Sequence, residues 1–365
     1  MKKTEESFNV GIIGENPELN NILGQAFGAP GTRSDLQFYN RLDQTLGYIF
    51  FAITPIDYPD KIKPLLQTLA MTDIYILVID LEIGLNSVIG ELLMAMDHFC
   101  RLYQRDSLII IANITSKNEW KLAQTIKRLR KILETTYFPH LKIIPINNKG
   151  VIGNLKKEVV NIGLDLFNRK INIEDHSLLK ILIDHAFPVK GVGTVALGIV
   201  KEGILKKGQM VEIVGYNSVM KKTIVRSIQK QDRNFPEAYR NERVGLVLKG
   251  IKPNEIDRNN LLAIPGTFKE ENEILVEFTM NEFYKPKGGK ISSDNRTQFF
   301  AIEDTRLTSM RFVDGTDLYP GISTKSKIVF DKPLYHNGSG LKGIITERNK
   351  FEKKLRIIGY FKQIV

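Results

Sequence analysis

Two kinds of hydrophobic pattern alternate along the first 170 residues. Short and almost fully apolar runs recur at Val10–Ile13, Tyr48–Ile53, Ile74–Ile79, Leu108–Ile111 and Ile143–Ile146. Longer stretches with helical spacing lie between or after them, at Ile62–Met71, Ser87–Tyr103, Glu119–Leu133 and Leu155–Phe167. Short apolar strands separated by helices are typical of a parallel sheet covered by helices on both faces. The pattern predicts an α/β domain over residues 1–173.

The helical spacing nearly disappears after about residue 175. Short β-branched strands follow one another there, separated by glycine-containing turns such as "KGVG", "KEG", "KKGQ" and "VGYN". This pattern predicts two β-barrels or sandwiches, over residues 174–267 and 268–365, with residues 168–176 as the linker to the α/β domain.

The net charge of +11 is unevenly distributed along the chain. Residues 1–175 hold 20 Lys+Arg and 20 Asp+Glu, residues 176–267 hold 15 and 8, and residues 268–365 hold 17 and 13. All of the excess positive charge therefore lies in the predicted β half. A polyanionic partner and an ordinary solvated basic surface both fit this distribution.

Several classes of protein are excluded by what the sequence lacks. A single cysteine, Cys100, allows neither an intrachain disulfide framework nor a cysteine-based zinc site, which favours a reducing cytoplasm. The five histidines show no metal-ligand spacing, and no apolar run reaches the length of a membrane span or a cleavable signal. We expect a soluble cytoplasmic protein with no membrane partner, no metal site and no independent catalytic constellation.

A family resemblance becomes specific between residues 182 and 262. The turns "GVGT" and "GILKKGQ" and the closing segment "VGLVLKGI" resemble the second domain of translational GTPases of the elongation factor Tu class. Within that class, "IDHAFPVKGVGT" and "VRSIQ" are most similar to the selenocysteine-specific factor SelB, particularly its archaeal form. The ending, from "NEFYKPKGG" to "LRIIGYF", is similar to the third domain of that family. The resemblance implies a G domain of the P-loop NTPase type followed by two β-barrels, and a monomer.

The phosphate loop implied by this resemblance departs from its pattern. A loop of type G-x-x-x-x-G-K-[ST] uses glycine for close backbone approach, lysine for the outer phosphates and Ser/Thr for magnesium. Gly14 stands at the first position, but Leu19, Asn20 and Asn21 stand where glycine, lysine and Ser/Thr belong.

The other guanine-nucleotide motifs depart from their patterns as well. By counting, Thr54 to Asp57 occupies the place of the magnesium-linked and γ-phosphate-sensing motif, and Tyr58 replaces the catalytic histidine of the family. Asn113 to Ser116 stands at the N-K-x-D position, with Ser116 in place of the guanine-binding carboxylate. We therefore expect GTP and magnesium binding to be lost. Nucleotide binding through unfamiliar contacts is the alternative.

The resemblance also implies an aminoacyl pocket in the second domain. SelB holds the selenocysteyl group with an acidic residue and basic residues, and the matching positions here are Asp184, His185 and Arg243. Arg243 would supply a permanent cation, His185 a donor tunable near neutral pH, and Asp184 an acceptor or an orienting partner. A purely structural hydrogen-bonded pair remains the alternative.

Basic residues of the β half are candidates for phosphate contacts. They are Lys201, Lys206, Lys207, Lys221, Lys222, Arg226, Lys230 and Arg233. In the α/β half, the segment Lys121–Lys131 is an amphipathic helix with a basic outer face, which we interpret as ordinary surface rather than a binding stripe.

Three functional hypotheses follow. The first is a SelB-like, nucleotide-independent binder of tRNA or another RNA that acts through its basic barrels in or around translation. The second is a divergent GTP-binding elongation factor. The third is a protein-interaction scaffold on the ribosome or on other translation factors.

Overall fold

The computed structural model describes residues 6–147, 150–170, 178–215, 221–292 and 298–364. The chain divides into two units, one formed by Met1–Ile171 with Thr346–Gly359 and the other by Asn172–Ile345 with Tyr360–Val365. Most of the predicted linker 168–176 lies outside the described residues, so the predicted domain boundaries stay predictions.

The first unit is built on a seven-stranded sheet. Its elements are β1 (Ser7–Gly14), α1 (Pro17–Phe27), β2 (Ala29–Arg33), β3 (Leu36–Asp43), β4 (Tyr48–Pro55), α2 (Ile62–Met71), β5 (Ile74–Asp80), α3 (Ser87–Tyr103), β6 (Asp106–Ala112), α4 (Leu122–Leu133), β7 (Lys142–Pro145) and α5 (Gly150–Lys170). The strand order is β2-β3-β4-β1-β5-β6-β7. The five strands from β4 to β7 are parallel, as the apolar runs predicted.

Two strands at one end of the sheet were not predicted. β2 and β3 run antiparallel to their neighbours; β2 contains glycine and proline, and β3 carries polar residues that are exposed or half-buried. Their half-exposed positions lack the continuous apolar run that marks a central parallel strand.

The start of α1 follows from its sequence. Asn16 caps the helix, because its side-chain oxygen accepts hydrogen bonds from the backbone N–H groups of Glu18 and Leu19. Pro17 takes the first helical position, where its missing N–H costs nothing. Helix α1 packs closely on β3, since a Cβ on Gly24 would lie 2.3 Å from the ring of Tyr39. The packing holds the end of β1 and the start of α1 in one fixed geometry.

The segment Thr346–Gly359 completes the first unit with a buried ion pair. Arg356 Nη2 lies 2.6 Å from Glu91 Oε1 and its Nε lies 3.2 Å from Oε2, while the Arg356 backbone N–H donates to Oε2 at 2.8 Å. The two side chains are 2% and 0% exposed. The Tyr58 hydroxyl, 3.2 Å from the same carboxylate, donates to it. Glu91 therefore has both oxygens satisfied within the core of the unit.

The second unit contains two six-stranded barrels. The first is formed by β8 (Lys180–Val189), β9 (Gly193–Glu202), β11 (Met210–Val214), β12 (Lys221–Lys230), β15 (Arg243–Leu248) and β16 (Leu261–Ala263), with β13 (Arg233–Phe235) at its edge and β10 (Leu205–Lys206) paired to β14 (Glu237–Ala238). The second is formed by β17 (Lys269–Met280), β19 (Phe299–Glu303), β20 (Arg306–Phe312), β22 (Ser323–His336), β23 (Lys342–Thr346) and β24 (Ile357–Gln363), with β18 (Ile291–Ser292) paired to β21 (Asp317–Leu318). Both predicted β domains are thus closed barrels.

A buried charge cluster lies between strands of the two barrels in the second unit. Lys180 of β8 pairs with Asp304 and lies 3.7 Å from the carboxylate of Glu303. The three side chains are 11–13% exposed. Burial would lower the pKa of Lys180, but Asp304 and Glu303 outweigh it and raise that pKa. Burial, and then the charge of Asp304, raise the pKa of Glu303 well above its usual range.

Among the described residues, no helix combines the length and the apolar character needed to cross a membrane.

Candidate functional site

The carboxyl end of β1 and the start of α1 lie where a phosphate loop was expected. Helix α1 begins at Pro17, three residues after Gly14, so Asn20 is already inside the helix. The buried Asn20 side chain turns back and donates from Nδ2 to the Gly14 carbonyl at 2.9 Å. A Cβ on Gly14 would lie 2.6 Å from Asn20 Oδ1 and 2.7 Å from the carbonyl oxygen of Val78. This part of the chain is therefore closed by contacts among its own residues.

An asparagine and aspartate network joins the ends of three parallel strands. Asp80, at the end of β5, accepts hydrogen bonds from Asn16 Nδ2 at 2.8 Å and from Asn113 Nδ2 at 2.9 Å. The backbone N–H of Glu82 donates to the same carboxylate at 2.8 Å. Burial alone would raise the pKa of Asp80, but these hydrogen bonds outweigh it and the pKa lies below its usual range. Asp80 is thus a fixed anion at this edge of the sheet.

The loop after β6 is bound into this network. Asn113 has a left-handed backbone, with φ of 59°, and its carbonyl accepts from Asn118 Nδ2 at 2.9 Å. Asn118 Nδ2 also donates to Glu82 Oε2 at 2.9 Å. Ser116 is exposed on the same loop. Asn113 therefore supports neighbouring loops, whereas Ser116 does not reach them.

The other motif positions are dispersed. The exposed Asn21 accepts from the hydroxyl of Tyr39, Leu19 is half-buried against the core, and Thr54 is buried at the end of β4. Asp57 pairs with the exposed Lys61 at 2.8 Å, and Tyr58 is part of the buried Glu91–Arg356 pair. The structure brings together Gly14, Asn20 and Asn113 but leaves the remaining positions in separate local contacts.

Sequence reasoning missed Asn16 and Asp80, which organise this edge. An asparagine directly before proline at a helix start is a recognisable N-cap pattern, and Asp80 directly follows a buried apolar run. The local sequence therefore indicated a helix cap at Asn16 and a strand end at Asp80, but only the fold shows that the two side chains are in contact.

We expect Asp80→Asn to lower the free energy of unfolding by about 1.5 kcal/mol at pH 7. The value is at the low end for hydrogen bonds to a charged group. The lowered pKa means that the stabilisation by Asp80 is present above the unfolded pKa of about 3.9 and is lost as the pH falls through the folded value. Urea unfolding between pH 3 and pH 7 measures this.

Asp57→Asn is the matched control, because Asp57 belongs to an exposed pair. We expect it to change the unfolding free energy by less than about 1 kcal/mol. Equal effects of the two substitutions at pH 7 would contradict a special role for Asp80.

The structure brings together two of the three candidate aminoacyl residues. Arg243 Nε lies 2.8 Å from Asp184 Oδ2, and Nη2 lies 3.4 Å from Oδ1. The Asp184 side chain is fully buried and that of Arg243 is 15% exposed. His185 is half-buried, with its ring 5.7 Å from that of Phe187. Asp184 therefore holds the Arg243 guanidinium in place, and the accessible groups are those of Arg243 and His185.

The basic candidates of the first barrel fall into two groups. Lys206, Lys207, Lys222, Arg226 and Arg233 are exposed. Lys201 is buried and Lys230 is bound to Glu242 at 2.7 Å, so the structure does not favour these two candidates for phosphate contacts. Both lysines lie near the ends of strands, and the sequence alone does not indicate how deeply a side chain at a strand end is buried. Lys221, half-buried, pairs with Glu255.

Comparison with known proteins agrees with this architecture. Residues 193–262 match the family model of elongation factor Tu domain 2. An uncharacterized protein of Methanocaldococcus jannaschii is 29% identical over 280 residues, which covers 76% of this chain and 79% of that protein. The selenocysteine-specific elongation factor of the same organism is 31% identical over 242 residues, or 64% of this chain and 50% of that protein. This chain therefore matches about half the length of that elongation factor.

Solved structures extend the likeness to the whole fold. Translation elongation factor SelB from Methanococcus maripaludis, in complex with the GTP analogue GPPNHP, superposes with a TM-score of 0.78 at 21% identity, covering 99% of this chain and 79% of that one. A bacterial selenocysteine-specific elongation factor, EF-Sec, gives a TM-score of 0.76 at 17% identity, covering 98% of this chain and 58% of that one. The resemblance predicted from the sequence is confirmed: residues 193–262 match elongation factor Tu domain 2, and the whole chain is similar in fold to SelB.

Proposed function

We propose that this protein binds tRNA or another RNA through its basic barrels without using a bound guanine nucleotide. The observation that carries the proposal is the Asn16–Asp80–Asn113 network together with the Asn20 contact to Gly14. A triphosphate needs cations and free backbone donors at this edge of the sheet. The charged group found there is the Asp80 carboxylate, and its negative charge opposes phosphate binding.

The position expected for the phosphate-loop lysine supports the same proposal. Asn20 stands there and bonds to Gly14, and Asn21 beside it bonds to Tyr39 instead of presenting a hydroxyl to magnesium. These residues do not fit a magnesium triphosphate. No switching step driven by nucleotide hydrolysis is therefore part of this proposal.

The first barrel supplies the groups that suit RNA. Exposed cations lie on and beside β12. Lys222 and Arg226 are exposed on the strand itself, and the exposed Lys249 is held beside it because its backbone N–H donates to the Ile224 carbonyl. Electrostatic contacts to phosphates make affinity fall steeply with salt. The Asp184–Arg243 pair leaves Arg243 and His185 as the groups offered to an aminoacyl end, with Asp184 as a positioning residue.

Two binding measurements test the proposal. Isothermal titration of GTP and GDP, each with magnesium, into the full chain is expected to give no micromolar binding. Micromolar GTP binding would instead favour a divergent GTP-binding factor. Filter binding of total tRNA, aminoacylated or deacylated, is expected to show binding that weakens with rising salt. Absence of tRNA binding at low salt would overturn the proposal.

We expect Lys222→Glu/Arg226→Glu to weaken tRNA binding and to reduce the salt slope by roughly two phosphate contacts. Both side chains are exposed, so folding is expected to be unaffected. Arg41→Glu is the control, because it reverses the charge of an exposed cation that lies on β3 of the first unit, outside the barrels. An unchanged slope in the double variant would remove β12 from the RNA-binding surface.

A further inference from the structure

The single tryptophan of the chain is held in an exposed position at the start of α4. Trp120 lies in a 3₁₀ turn, Glu119–Lys121, and is 69% exposed. Its Nε1 donates to the Lys117 carbonyl at 3.0 Å, and Lys121 Nζ lies 5.8 Å from the centre of the ring. The indole is therefore fixed by its own N–H while its apolar surface faces solvent. A large exposed ring fixed in this way is suited to stacking.

The exposed face of α4 continues from this ring with cations. With about 120° per residue in the 3₁₀ turn and about 100° per residue in α4, Trp120, Gln124, Lys127 and Lys131 fall within roughly 80° of one another. All four are exposed, and Arg128 flanks them. The opposite face buries Leu129 and Leu133 against the unit. We call this exposed set, formed by Trp120, Gln124, Lys127, Arg128 and Lys131, the Trp120 face.

The charge of the Trp120 face is not neutralised locally. Residues 117–131 contain six Lys or Arg and one Glu. Lys121 lies 3.9 Å from Glu82, and Arg130 donates to the Leu141 carbonyl. By contrast, none of Lys127, Arg128 and Lys131 forms an ion pair with any residue in the described part of the chain. Three cations thus remain available along one side of the helix.

We propose that the Trp120 face binds a single-stranded segment of RNA, with an unpaired base stacked on Trp120 and phosphates along Lys127, Arg128 and Lys131. Aromatic stacking beside a row of cations is the combination that recognises unpaired nucleotides. The identity of the ligand as RNA rests on the proposed function. The surface itself is separate from the barrel residues, since it lies wholly within the first unit.

An acidic protein helix fits this face less well. A docked amphipathic helix needs an apolar stripe with anchors at helical spacing. The positions that continue from Trp120 are Gln124, Lys127 and Lys131, which offer hydrogen bonds and charge rather than apolar area. The face was interpreted from sequence as ordinary surface, and the exposed, fixed indole is what changes that interpretation.

Tryptophan fluorescence tests the inference directly. Because Trp120 is the only tryptophan, the emission of the full chain reports this face alone. Titration with an oligouridylate of twelve nucleotides is expected to quench the emission with saturation, and added salt is expected to reverse the quenching. N-acetyltryptophanamide corrects for absorption by the RNA, and poly-L-glutamate probes for an acidic protein partner instead.

Variants separate stacking from charge. We expect Trp120→Ala to weaken oligouridylate binding by filter assay roughly 5- to 150-fold, the range for loss of one stacked base. Lys127→Glu/Lys131→Glu keeps the indole and is expected to abolish the quenching. Arg41→Glu, on β3 at the opposite end of the sheet order, is the control and is expected to quench as the unaltered chain does.

The outcomes distinguish this inference from the proposed function. If tRNA binds by filter assay but neither oligouridylate nor tRNA changes the emission, and Lys127→Glu/Lys131→Glu binds normally, the Trp120 face is not an RNA site. Quenching by poly-L-glutamate alone would overturn it in favour of a protein partner. If oligouridylate quenches while the barrel variant keeps its full salt slope, the barrel proposal fails and this one stands.

Discussion

We expect Arg356→Ala to lower the free energy of unfolding by about 3–5 kcal/mol, the cost of leaving one partner of a buried ion pair uncompensated. The Glu91 carboxylate would keep the Tyr58 hydroxyl and the Arg356 backbone N–H as donors but would lose its counter-ion in a fully buried position. Urea unfolding followed by circular dichroism gives the free energy. Hydrogen exchange of the α3 amides shows whether the loss is located in the first unit.

Two further variants make this prediction specific. Glu91→Gln/Arg356→Met removes both charges but keeps an acceptor for the Tyr58 hydroxyl and the Arg356 backbone N–H, and it is expected to recover most of the loss, because a neutral pair does not need to be desolvated as ions. Lys61→Ala breaks an exposed pair, with the lysine side chain 70% exposed, and is expected to change the free energy of unfolding little. If Arg356→Ala were as mild as Lys61→Ala, the buried pair would have no special role.

Tyr58 belongs to the same cluster. Burial, and then the charge of Glu91, raise the pKa of Tyr58 well above its usual value, so the hydroxyl stays protonated and continues to donate. Tyr58, which counting along the sequence placed at the position of the family's catalytic histidine, is therefore held in the core, where it stabilises the fold.

The second large effect is expected for Lys180→Met in the second unit. Without the ammonium group, the buried carboxyl groups of Glu303 and Asp304 lose their counter-ion, and we expect the free energy of unfolding to fall by about 3–5 kcal/mol at pH 8. The loss should shrink towards pH 5, because burial and the charge of Asp304 favour the protonated, neutral form of Glu303, which needs no counter-ion. Urea unfolding at the two pH values measures the difference.

The unaltered chain has a related pH dependence. The raised pKa of Lys180 means that its contribution is complete below the ordinary lysine value and is lost as the pH rises through the folded value. The raised pKa of Glu303 acts in the same direction, because its favourable protonated form is lost as the pH rises. The second unit should therefore weaken towards alkaline pH.

Lys180→Arg and Lys207→Met are the controls for this prediction. The first keeps the charge and should retain most of the stability, while the second removes an exposed lysine of the same unit and should change little. If the difference in unfolding free energy between Lys180→Met and the unaltered chain did not depend on pH, the electrostatic explanation would be contradicted.

Hydrophobic periodicity was sufficient to predict the fold class. The runs at Tyr48–Ile53 and Ile74–Ile79 became central parallel strands because continuous apolar sequence suits a strand buried on both faces. Helices α2 and α3 have the predicted bounds, since their apolar positions recur at helical spacing. Strand β3 was missed because its alternation is interrupted by the consecutive polar residues Asn40 and Arg41.

The candidate site was less predictable, for a physical reason. Counting along the chain located Gly14, Asn20 and Asn113, but partners such as Asp80 and Asn16 are set by the crossovers that bring the ends of β1, β5 and β6 together. Depth is likewise a tertiary property, and Lys201 is buried although neighbouring lysines of similar sequence context are exposed. The candidate site is formed by contacts between residues that are distant in the sequence, and local sequence patterns do not predict such contacts.

The buried Glu91–Arg356 pair sets an order of events during synthesis. Glu91 leaves the ribosome 265 residues ahead of its partner, which at ~5–20 residues per second is a delay of roughly 13–50 s. During that interval the nascent α/β domain contains a carboxylate whose counter-ion has not yet been made. The α/β domain is thus completed only after most of the two barrels has been translated, because its closure depends on a residue 265 positions further along the chain.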